Sequence, residues 1–309
     1  MINKEEIYTS TNTKLLHNLD RLQEIQQGSF RPISIQLAPT DKCNLNCNMC
    51  SVKKREGNEL TLDECCKILK DFRDLGAKSV EFTGGGDSTM HPDINGIIKC
   101  ASDLGYDIGL ITNGVKLSNI AFSNLEKLTW VRISLNCLDY VDDISVYLPK
   151  SVTLGFSYVY TNLSSREKLD KVKEYYYKYN AKYVRVVPDC TSVSTINDGK
   201  ASISSLIEDY PEFFFQSKHY NVYDKCWIYL LKPFINSDGY VYTCSAIPLI
   251  SNKFDRKFAV CKATDAKVFW NQPPKAFPTH NCEEGKCFFS AQNQLLDQVI
   301  LPCEHSNFV

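Results

Sequence analysis

The chain has 309 residues, with 35 basic and 36 acidic side chains and a formal net charge of −1 at neutral pH. This balance lacks the basic excess that nucleic-acid binding requires, so nucleic acid is not an expected partner. No apolar run reaches the roughly 18–20 residues that span a bilayer, and the N-terminus lacks the basic-then-apolar pattern of a signal peptide. We therefore expect no membrane partner and a cytoplasmic location. In that reducing compartment, the 14 cysteines point to metal or cluster binding rather than disulfides.

Hydrophobic periodicity predicts one N-terminal helix followed by alternating strands and helices. The first helix covers residues 11–26 and ends at Gly28. The predicted strands are 33–38, 79–83, 107–112, 130–135, 152–160 and 183–187, and the predicted helices between them are 62–75, 92–104, 117–127 and 167–179. Thr61 and Glu64 predict a capping box at the start of the second helix. Such alternation predicts an α/β fold with a parallel sheet. Six strands suit a partial (β/α)6 barrel, because a full eight-fold barrel takes about 250 residues.

The chain divides into four predicted parts. An N-terminal helical extension covers residues 1–30, and the partial barrel covers 31–190. An irregular connection covers 191–220, and a small cysteine-rich domain with a β-hairpin and a helix covers 221–309.

Three cysteines follow the first predicted strand with the spacing C-x3-C-x2-C: Cys43, Cys47 and Cys50. In parallel barrels the working groups sit at this carboxyl end of the strands. Three thiolates on one loop can hold three irons of a [4Fe–4S] cluster, leaving the fourth iron open to bind a small molecule. Zinc prefers closed sets of four ligands, which a lone triplet fits poorly. A zinc loop or three unrelated buried thiols are the alternatives.

Glycines and polar residues follow the other strands. Glycine lets the backbone approach a ligand closely, and alternate residues of a strand face one side. The candidate cofactor-binding residues are Met49 in the cysteine loop, Gly84, Gly85, Gly86 and Asp87 after the second strand, Asn113 after the third, and Ser134 and Asn136 at the end of the fourth. A flexible turn at the glycines and internally satisfied polar groups at Ser134 and Asn136 are the alternatives.

The triplet and the strand-end motifs together resemble those of the radical S-adenosylmethionine (radical SAM) enzymes. The resemblance implies a [4Fe–4S] cluster that binds S-adenosylmethionine and yields a 5′-deoxyadenosyl radical for hydrogen abstraction. It places the glycine loop at the methionine amino group, with Asp87 where the family usually has Glu. It places Ser134 and Asn136 at the methionine carboxylate or ribose, and Met49 beside the adenine where an aromatic residue is usual. The Ile-Thr-Asn-Gly turn that contains Asn113 also occurs in the family.

A second cysteine set lies in the C-terminal hundred residues. Cys226 and Cys244 frame the pattern C-x12-G-x4-C, in which Asp238 and Gly239 predict the turn of a hairpin between two apolar strands. Such a hairpin returns both thiols to the same end.

Cys282 and Cys287 complete a set of four thiolates, which makes a closed site. The set resembles the twitch domain, a short form of the SPASM extension of radical SAM enzymes. This resemblance implies a second [4Fe–4S] cluster. A zinc site is the alternative, because zinc held by four cysteines has the same sequence pattern. Cys261 and Cys303 are competing ligands.

The expected function is that of a radical SAM oxidoreductase, similar to a dehydrogenase, with a small-molecule substrate and a reductant such as flavodoxin or ferredoxin. Only about 30 residues precede the first strand, whereas peptide-modifying relatives often carry a leader-binding domain there. A peptide-modifying or nucleoside-modifying radical SAM enzyme is the alternative, and a non-catalytic zinc or iron–sulfur module is the alternative of another class. Catalytic candidates are Tyr158, Arg185 and Asp189. An inward-facing Arg185 would need an anionic partner.

Overall fold

The computed structural model describes residues 4–191, 197, 203–216, 223–278, 282 and 287–301. Within these residues no helix is long and apolar enough to cross a bilayer.

Six parallel strands lie side by side in chain order, which confirms the predicted α/β fold. They are β1 (Ser34–Leu37), β2 (Ser79–Phe82), β3 (Asp107–Thr112), β4 (Trp130–Ser134), β5 (Thr153–Tyr160) and β6 (Tyr183–Pro188). Each strand pairs in parallel with the next. The parallel arrangement brings the loops that follow the strands to one edge of the sheet.

Helices cross between the strands and bury one apolar face. They are α4 (Leu62–Asp74), α5 (Ile94–Asp103), α6 (Phe122–Leu125) and α7 (Arg166–Lys178). The predicted capping box of α4 is present, because Thr61 Oγ1 accepts the Glu64 N–H at 3.2 Å and Glu64 Oε2 accepts the Thr61 N–H at 2.7 Å. The helix predicted over 117–127 is instead a short 3-10 turn at Leu117–Asn119 followed by α6.

The predicted N-terminal helix is also divided. The structure has α1 (Lys4–Tyr8), α2 (Thr13–Leu16) and α3 (Leu19–Gln26) in place of one helix over 11–26. The break falls at Asn18, whose Nδ2 donates to the Lys14 carbonyl at 3.0 Å. Asparagine side chains compete in this way with the backbone bonds of a helix.

The C-terminal hairpin extends the barrel sheet. β9 (Phe234–Ile235) pairs in parallel with β1, and β10 (Tyr240–Tyr242) pairs antiparallel with β9 and with β11 (Ala259–Lys262). Gly239 takes the left-handed backbone conformation that the turn needs, with φ of 78°. The predicted division of the chain at residue 220 stays a prediction.

The predicted first strand of this hairpin, running on from Cys226, is wrong. Cys226 lies on β8 (Lys225–Cys226), which pairs with β12 (Phe277–Pro278), and α8 (Ile228–Leu231) separates it from β9. All four residues of α8 are buried, and periodicity alone cannot tell a buried strand from a buried helical turn. The remaining C-terminal helices are α9 (Pro248–Ser251), α10 (Ala266–Trp270) and α11 (Ser290–Ile300).

Part of the connection predicted as irregular is also regular. β7 (Phe213–Phe215) pairs in parallel with β6 and adds a strand at that edge of the sheet. Aromatic residues favour strands where a half-buried pleated surface is available to them.

Aromatic rings fill the N-terminal end of the barrel. A Cβ on Gly109 would stand 2.2 Å from the ring of Trp130, and a Cβ on Gly155 would stand 2.0 Å from the ring of Tyr183. Tyr8 stacks on Tyr183 with ring centroids 4.2 Å apart. Trp130 and Tyr183 begin β4 and β6, so α1 and these rings close that end.

We predict that Gly155→Ala lowers the free energy of unfolding by about 1–3 kcal/mol, because the methyl group overpacks the ring of Tyr183. Chemical unfolding followed by circular dichroism measures this loss. Gly96→Ala in α5 is the matched control: its Cβ approaches only the flexible Leu62 side chain, at 3.0 Å, and alanine favours a helix by about 1 kcal/mol. Equal stability of the two variants would contradict the prediction.

Candidate functional site

The three cysteines of the C-x3-C-x2-C motif lie on the loop that follows β1, and all three are half-buried. Burial, and then the thiols of Cys50 and Cys43, raise the pKa of Cys47 to about 11, because thiolates so placed would repel one another. Asn113 Nδ2 lies 3.8 Å from Cys43 Sγ, and Arg55 Nη2 donates to Cys50 Sγ at 3.1 Å. These donors are suited to thiolate ligands.

The glycine loop after β2 packs directly against the start of the cysteine loop. A Cβ on Gly86 would stand 2.1 Å from the Lys42 carbonyl oxygen, and a Cβ on Gly84 would stand 2.8 Å from the Ala38 Cβ. Both glycines are therefore required by the packing of the protein itself. The nearest neighbour of a Cβ on Gly85 would be at 3.5 Å, so the predicted approach to a cofactor fits Gly85 best.

Asp87 joins three loops. Its carboxylate accepts hydrogen bonds from the Thr89 N–H at 3.0 Å, the Thr112 hydroxyl at 2.9 Å and the Asn113 N–H at 2.7 Å. Its own N–H donates to the Lys42 carbonyl at 2.9 Å. Asp87 is 4% exposed, and these hydrogen bonds give it a structural role in connecting the three loops. Its predicted contact with the amino group of S-adenosylmethionine stays a prediction.

Polar contacts also fix the loop that carries Met49. The Asn48 N–H donates to the Tyr140 hydroxyl at 2.7 Å, and Asn113 Nδ2 donates to Asn44 Oδ1 at 2.9 Å. Met49 is half-buried in this loop. Asn113 thus contacts the cysteine loop, while the cofactor contact predicted for it remains untested.

The two polar residues predicted at the end of β4 differ in placement. Ser134 ends the strand, whereas Asn136 lies in a 3-10 helix at Leu135–Asp139. The strand alternation predicted through Asn136 therefore does not extend to it. Its Nδ2 donates to the Val159 carbonyl at 2.9 Å, and its Oδ1 accepts the Val159 N–H at 2.7 Å. The amide of Asn136 is thus committed to the β5 backbone.

Arg55 is a site residue that sequence reasoning missed. Its Nε donates to the Gly85 carbonyl at 3.0 Å, and its Nη2 donates to Cys50 Sγ. The residue therefore links the glycine loop to the third cysteine. It ends the basic run 53–55, which in sequence is indistinguishable from a solvated surface.

The four C-terminal cysteines predicted as a ligand set line one pocket. Cys226 is buried, and Cys244, Cys282 and Cys287 are half-buried. Burial, followed by the nearby thiols, raises the pKa of Cys244 to about 12. The rest of the wall is largely apolar and includes Ile228, Ala246, Ile250, Phe277, Phe288 and Phe289. Such a wall limits the access of water to the sulfur atoms.

Asn293 holds this pocket together and was not predicted. It is fully buried on α11, and its Oδ1 accepts the N–H groups of Trp227 at 2.7 Å and Ile228 at 2.8 Å. Its Nδ2 lies 3.9 Å from Cys287 Sγ. Asn293 therefore ties the residues after Cys226 to the Cys287 side of the pocket. Nothing in the sequence distinguishes it from other polar residues of the helix.

Cys261 and Cys303 are the two cysteines predicted as competing ligands. Cys261 lies on β11 and does not line the pocket. Burial and Asp265 raise its pKa to about 12, without a contribution from the four pocket thiols. Cys303 lies outside the described residues.

Both cysteine sets pass a chemical test of fit for iron–sulfur clusters, since each offers soft thiol ligands with N–H donors to sulfur. In the part of the chain that the structure describes, no three His, Cys, Asp or Glu side chains are gathered as ligands of a single metal ion. Cluster ligands bind different irons, so they need not gather around one ion.

A chamber of about 510 Å³ lies inside the barrel. It extends from the aromatic rings at the N-terminal end to Thr83, directly before the glycine loop. Ala246, Phe288 and Phe289 line both this chamber and the pocket of four cysteines. The polar side chains facing the chamber include Gln36, Glu81, Arg132, Arg185, Gln216 and Lys232.

The three catalytic candidates differ in whether they line this chamber. Arg185 lines it, whereas Tyr158 and Asp189 do not. The Tyr158 hydroxyl accepts a hydrogen bond from Ser164 Oγ at 3.2 Å, and burial raises its pKa. Asp189 accepts the Thr191 N–H at 2.8 Å. No catalytic role follows for either residue from these contacts.

We predict that Asp87→Asn lowers the free energy of unfolding by about 1–3 kcal/mol, because the new NH2 group faces N–H donors that need an acceptor. Chemical unfolding measures the loss, with Asp93→Asn as control, because Asp93 is exposed and makes no side-chain cap bond. Unchanged stability with weakened binding of S-adenosylmethionine would instead assign Asp87 to direct cofactor contact.

We predict that Cys226→Ala lowers bound iron from about eight to about four per chain after anaerobic reconstitution, because the second of the two predicted four-iron clusters is lost. Cys261→Ala is the control and keeps the full content, since Cys261 lies outside the pocket. Iron and acid-labile sulfide assays measure both. Zinc without sulfide in the wild-type protein would contradict both cluster assignments.

The chain resembles known proteins both in sequence and in fold. Residues 37–150 match the family model of the Radical SAM superfamily. The PqqA peptide cyclase of Bradyrhizobium diazoefficiens is 37% identical over 97 residues, covering 30% of this chain and 25% of that protein. The GTP 3′,8-cyclase of Staphylococcus aureus is 30% identical over 131 residues, covering 38% of each. This chain thus spans less than two-fifths of the length of either curated relative.

The crystal structure of Streptococcus suis SuiB bound to the precursor peptide SuiA resembles this chain with a TM-score of 0.53. The identity is 16%, and the match covers 96% of this chain and 74% of SuiB. At this identity the likeness concerns the fold alone. The family assignment therefore rests on the sequence match, by which residues 37–150 correspond to a Radical SAM superfamily domain.

Proposed function

We propose that this chain is a radical SAM enzyme that abstracts a hydrogen atom from a peptide held in the barrel chamber. The observation that carries the proposal is the position of the chamber. It reaches Thr83 below the glycine loop, and it shares Ala246 and Phe289 with the pocket of four cysteines. A side chain bound there lies between the two cysteine sites.

The residues around the cysteine loop then have distinct tasks. Cys43, Cys47 and Cys50 would hold a [4Fe–4S] cluster, which with S-adenosylmethionine and an electron from a reductant such as flavodoxin or ferredoxin supplies hydrogen abstraction. Arg55 and Asn113 donate toward the sulfur atoms and so stabilise thiolate charge. Gly85, Asp87, Asn113, Ser134, Asn136 and Met49 remain the residues that we assign to the cofactor side of the site, directly or by positioning.

We propose further that Cys226, Cys244, Cys282 and Cys287 hold a second [4Fe–4S] cluster, as in a twitch domain. Four thiolates around one zinc, at about 2.3 Å from the metal, lie about 3.8 Å from each other. Among the described residues no such single-ion set is gathered. The apolar pocket wall and the N–H donor of Asn293 suit a buried cluster.

The substrate expected from the sequence alone was a small molecule. By its name, PqqA peptide cyclase acts on a peptide, and SuiB, which shares the fold, was crystallised with its precursor peptide. These two relatives favour a peptide over a free small molecule. The similarity to GTP 3′,8-cyclase makes a nucleotide the second candidate.

Loss of one hydrogen atom, followed by loss of one electron and one proton, leaves a product short of two hydrogens. A dehydrogenation and a new intramolecular bond have this same balance. The chamber shares Ala246, Phe288 and Phe289 with the four-cysteine pocket, which supports an electron acceptor close to the substrate radical. The oxidation expected from the sequence is therefore retained as part of the proposal.

We predict that the reconstituted protein forms 5′-deoxyadenosine when S-adenosylmethionine and dithionite are supplied without oxygen. The variant Cys43→Ala/Cys47→Ala/Cys50→Ala forms none, because the open cluster is lost, while Cys261→Ala matches the wild type. Liquid chromatography with mass spectrometry measures the product. Absence of 5′-deoxyadenosine with both clusters verified would favour a non-catalytic iron–sulfur module.

A peptide library and GTP, supplied in separate reactions, identify the substrate class. We expect the peptides to raise 5′-deoxyadenosine formation and to yield a product that lacks two hydrogens. Stimulation by GTP alone would replace the peptide with the nucleotide candidate.

A further inference from the structure

Two arginines face the barrel chamber without a carboxylate partner. Arg132 lies on β4 and is 8% exposed, and Arg185 lies on β6. The Nε atoms of both are buried and make no hydrogen bond. The polar contact of Arg185 is a long one, 3.4 Å to Gln216 Oε1, and Arg132 lies over its neighbour Trp130 at 5.3 Å from the ring centroid. Within the described residues neither guanidinium forms an ion pair.

The other buried charges of the chamber are balanced. Lys232 Nζ donates to Glu81 Oε1 at 3.0 Å, and Gln36 donates to the second oxygen of the same carboxylate at 2.8 Å. Lys14 stands exposed at the rim. The pair of Lys232 and Glu81 is therefore neutral. Glu81 also acts through space on Arg132 and Arg185, without an ion pair to either, so these four buried charges leave the chamber with a net positive charge. A buried charge without a partner is costly.

The two arginines are placed to grip one group between them. β5 separates β4 from β6, so their backbones are about 10 Å apart. Register sets Arg132 opposite Gly155, which has no side chain, and sets Arg185 opposite Ser157. Burial, and then the charge of Arg132, lower the pKa of Arg185 to about 9. The two guanidinium groups therefore act on each other, and the ring of Tyr183, which covers Gly155, lies near both.

The depth of the pair separates it from the cofactor loops. Arg132 lies two residues before the end of β4, and Arg185 lies three residues before the end of β6. The cysteine and glycine loops follow the strand ends. Ala246 and Phe289, which also line the four-cysteine pocket, border the same chamber.

We propose that Arg132 and Arg185 form an oxyanion clamp that binds a carboxylate of the substrate inside the barrel. The inference rests on the proposed function in one respect: it assigns the carboxylate to an acidic side chain of the peptide. Guanidinium groups bind carboxylates through paired, charge-assisted hydrogen bonds. The clamp holds the residue to be modified between the two cysteine sites.

Binding to the cluster-loaded protein tests the clamp without turnover. The probes are the capped peptides acetyl-Gly-Glu-Gly-amide and acetyl-Gly-Gln-Gly-amide, inorganic phosphate and S-adenosylmethionine, measured by anaerobic calorimetry. We expect the Glu peptide to bind, the Gln peptide to bind at least about tenfold more weakly, and Arg132→Gln and Arg185→Gln each to weaken the Glu peptide about tenfold or more. Arg256→Gln is the matched control, because Arg256 is exposed on the hairpin side.

Stability in the absence of ligand separates a binding role from a structural one. Removing an uncompensated buried charge relieves its cost, so we expect Arg185→Gln to unfold at the same temperature as the wild type or higher. The Glu peptide raises the unfolding temperature of the wild type and has no effect on the variant. A lower unfolding temperature for both Arg185→Gln and Arg132→Gln would make the arginines structural and overturn the clamp.

Further outcomes of the binding experiment would overturn the assignment. Equal binding of the Glu and Gln peptides, or no binding of either, would mean that the two arginines do not recognise a carboxylate. Phosphate that binds more tightly than the Glu peptide, with the same dependence on both arginines, assigns the clamp to a phosphorylated ligand. Competition between S-adenosylmethionine and the Glu peptide assigns it to the cofactor. Formation of 5′-deoxyadenosine with no peptide binding would overturn the clamp and leave the proposed radical chemistry standing.

Discussion

The contact between Gly86 and the backbone of Lys42 determines the arrangement of the cluster end of the barrel. No Cβ fits between Gly86 and the Lys42 carbonyl, which would lie 2.1 Å away. The same carbonyl accepts the N–H of Asp87, so the loops after β1 and β2 lock together one residue before Cys43. Asp87 then reaches Thr112 and Asn113 on the loop after β3. One close backbone approach thus aligns the ends of three strands around the cysteines.

A different element positions the second set of cysteines. β9 adds to the free edge of β1 and carries β10 with it, so the hairpin is part of the barrel sheet. Cys244 follows β10, while Cys226 precedes α8, whose first N–H group donates to Asn293. The pocket of four cysteines is therefore fixed by the barrel sheet on one side and by α11 on the other. This continuity is what brings the pocket to the wall of the chamber.

The sequence predicted those parts of the fold that depend on residues close together in the chain. The capping box of Thr61 and Glu64, the bounds of β3 and the parallel order of six strands depend on nearby residues and periodicity, and all are confirmed. The helical turn after Cys226, the strand at Phe213–Phe215 and the sulfur contact of Arg55 depend on tertiary packing. A buried apolar run and a basic run carry no periodic mark of such contacts. The four cysteines were predictable as a set because thiols with metal spacing are chemically distinctive, although the intervening backbone was not.

The chamber also contains a buried cation that does have a carboxylate partner, and the unpaired arginines can be compared with it. The barrel can place a carboxylate beside a buried cation, since Glu81 on β2 lies 3.0 Å from Lys232. The absence of such a partner at Arg132 and Arg185, within the described residues, is therefore not imposed by the geometry of the interior. A chain that balances one cation and leaves two guanidinium groups facing the same open space keeps a positive site at the expense of folding stability. That expense is recovered when an anion enters, which couples occupancy of the chamber to stability of the barrel around the two cysteine sites.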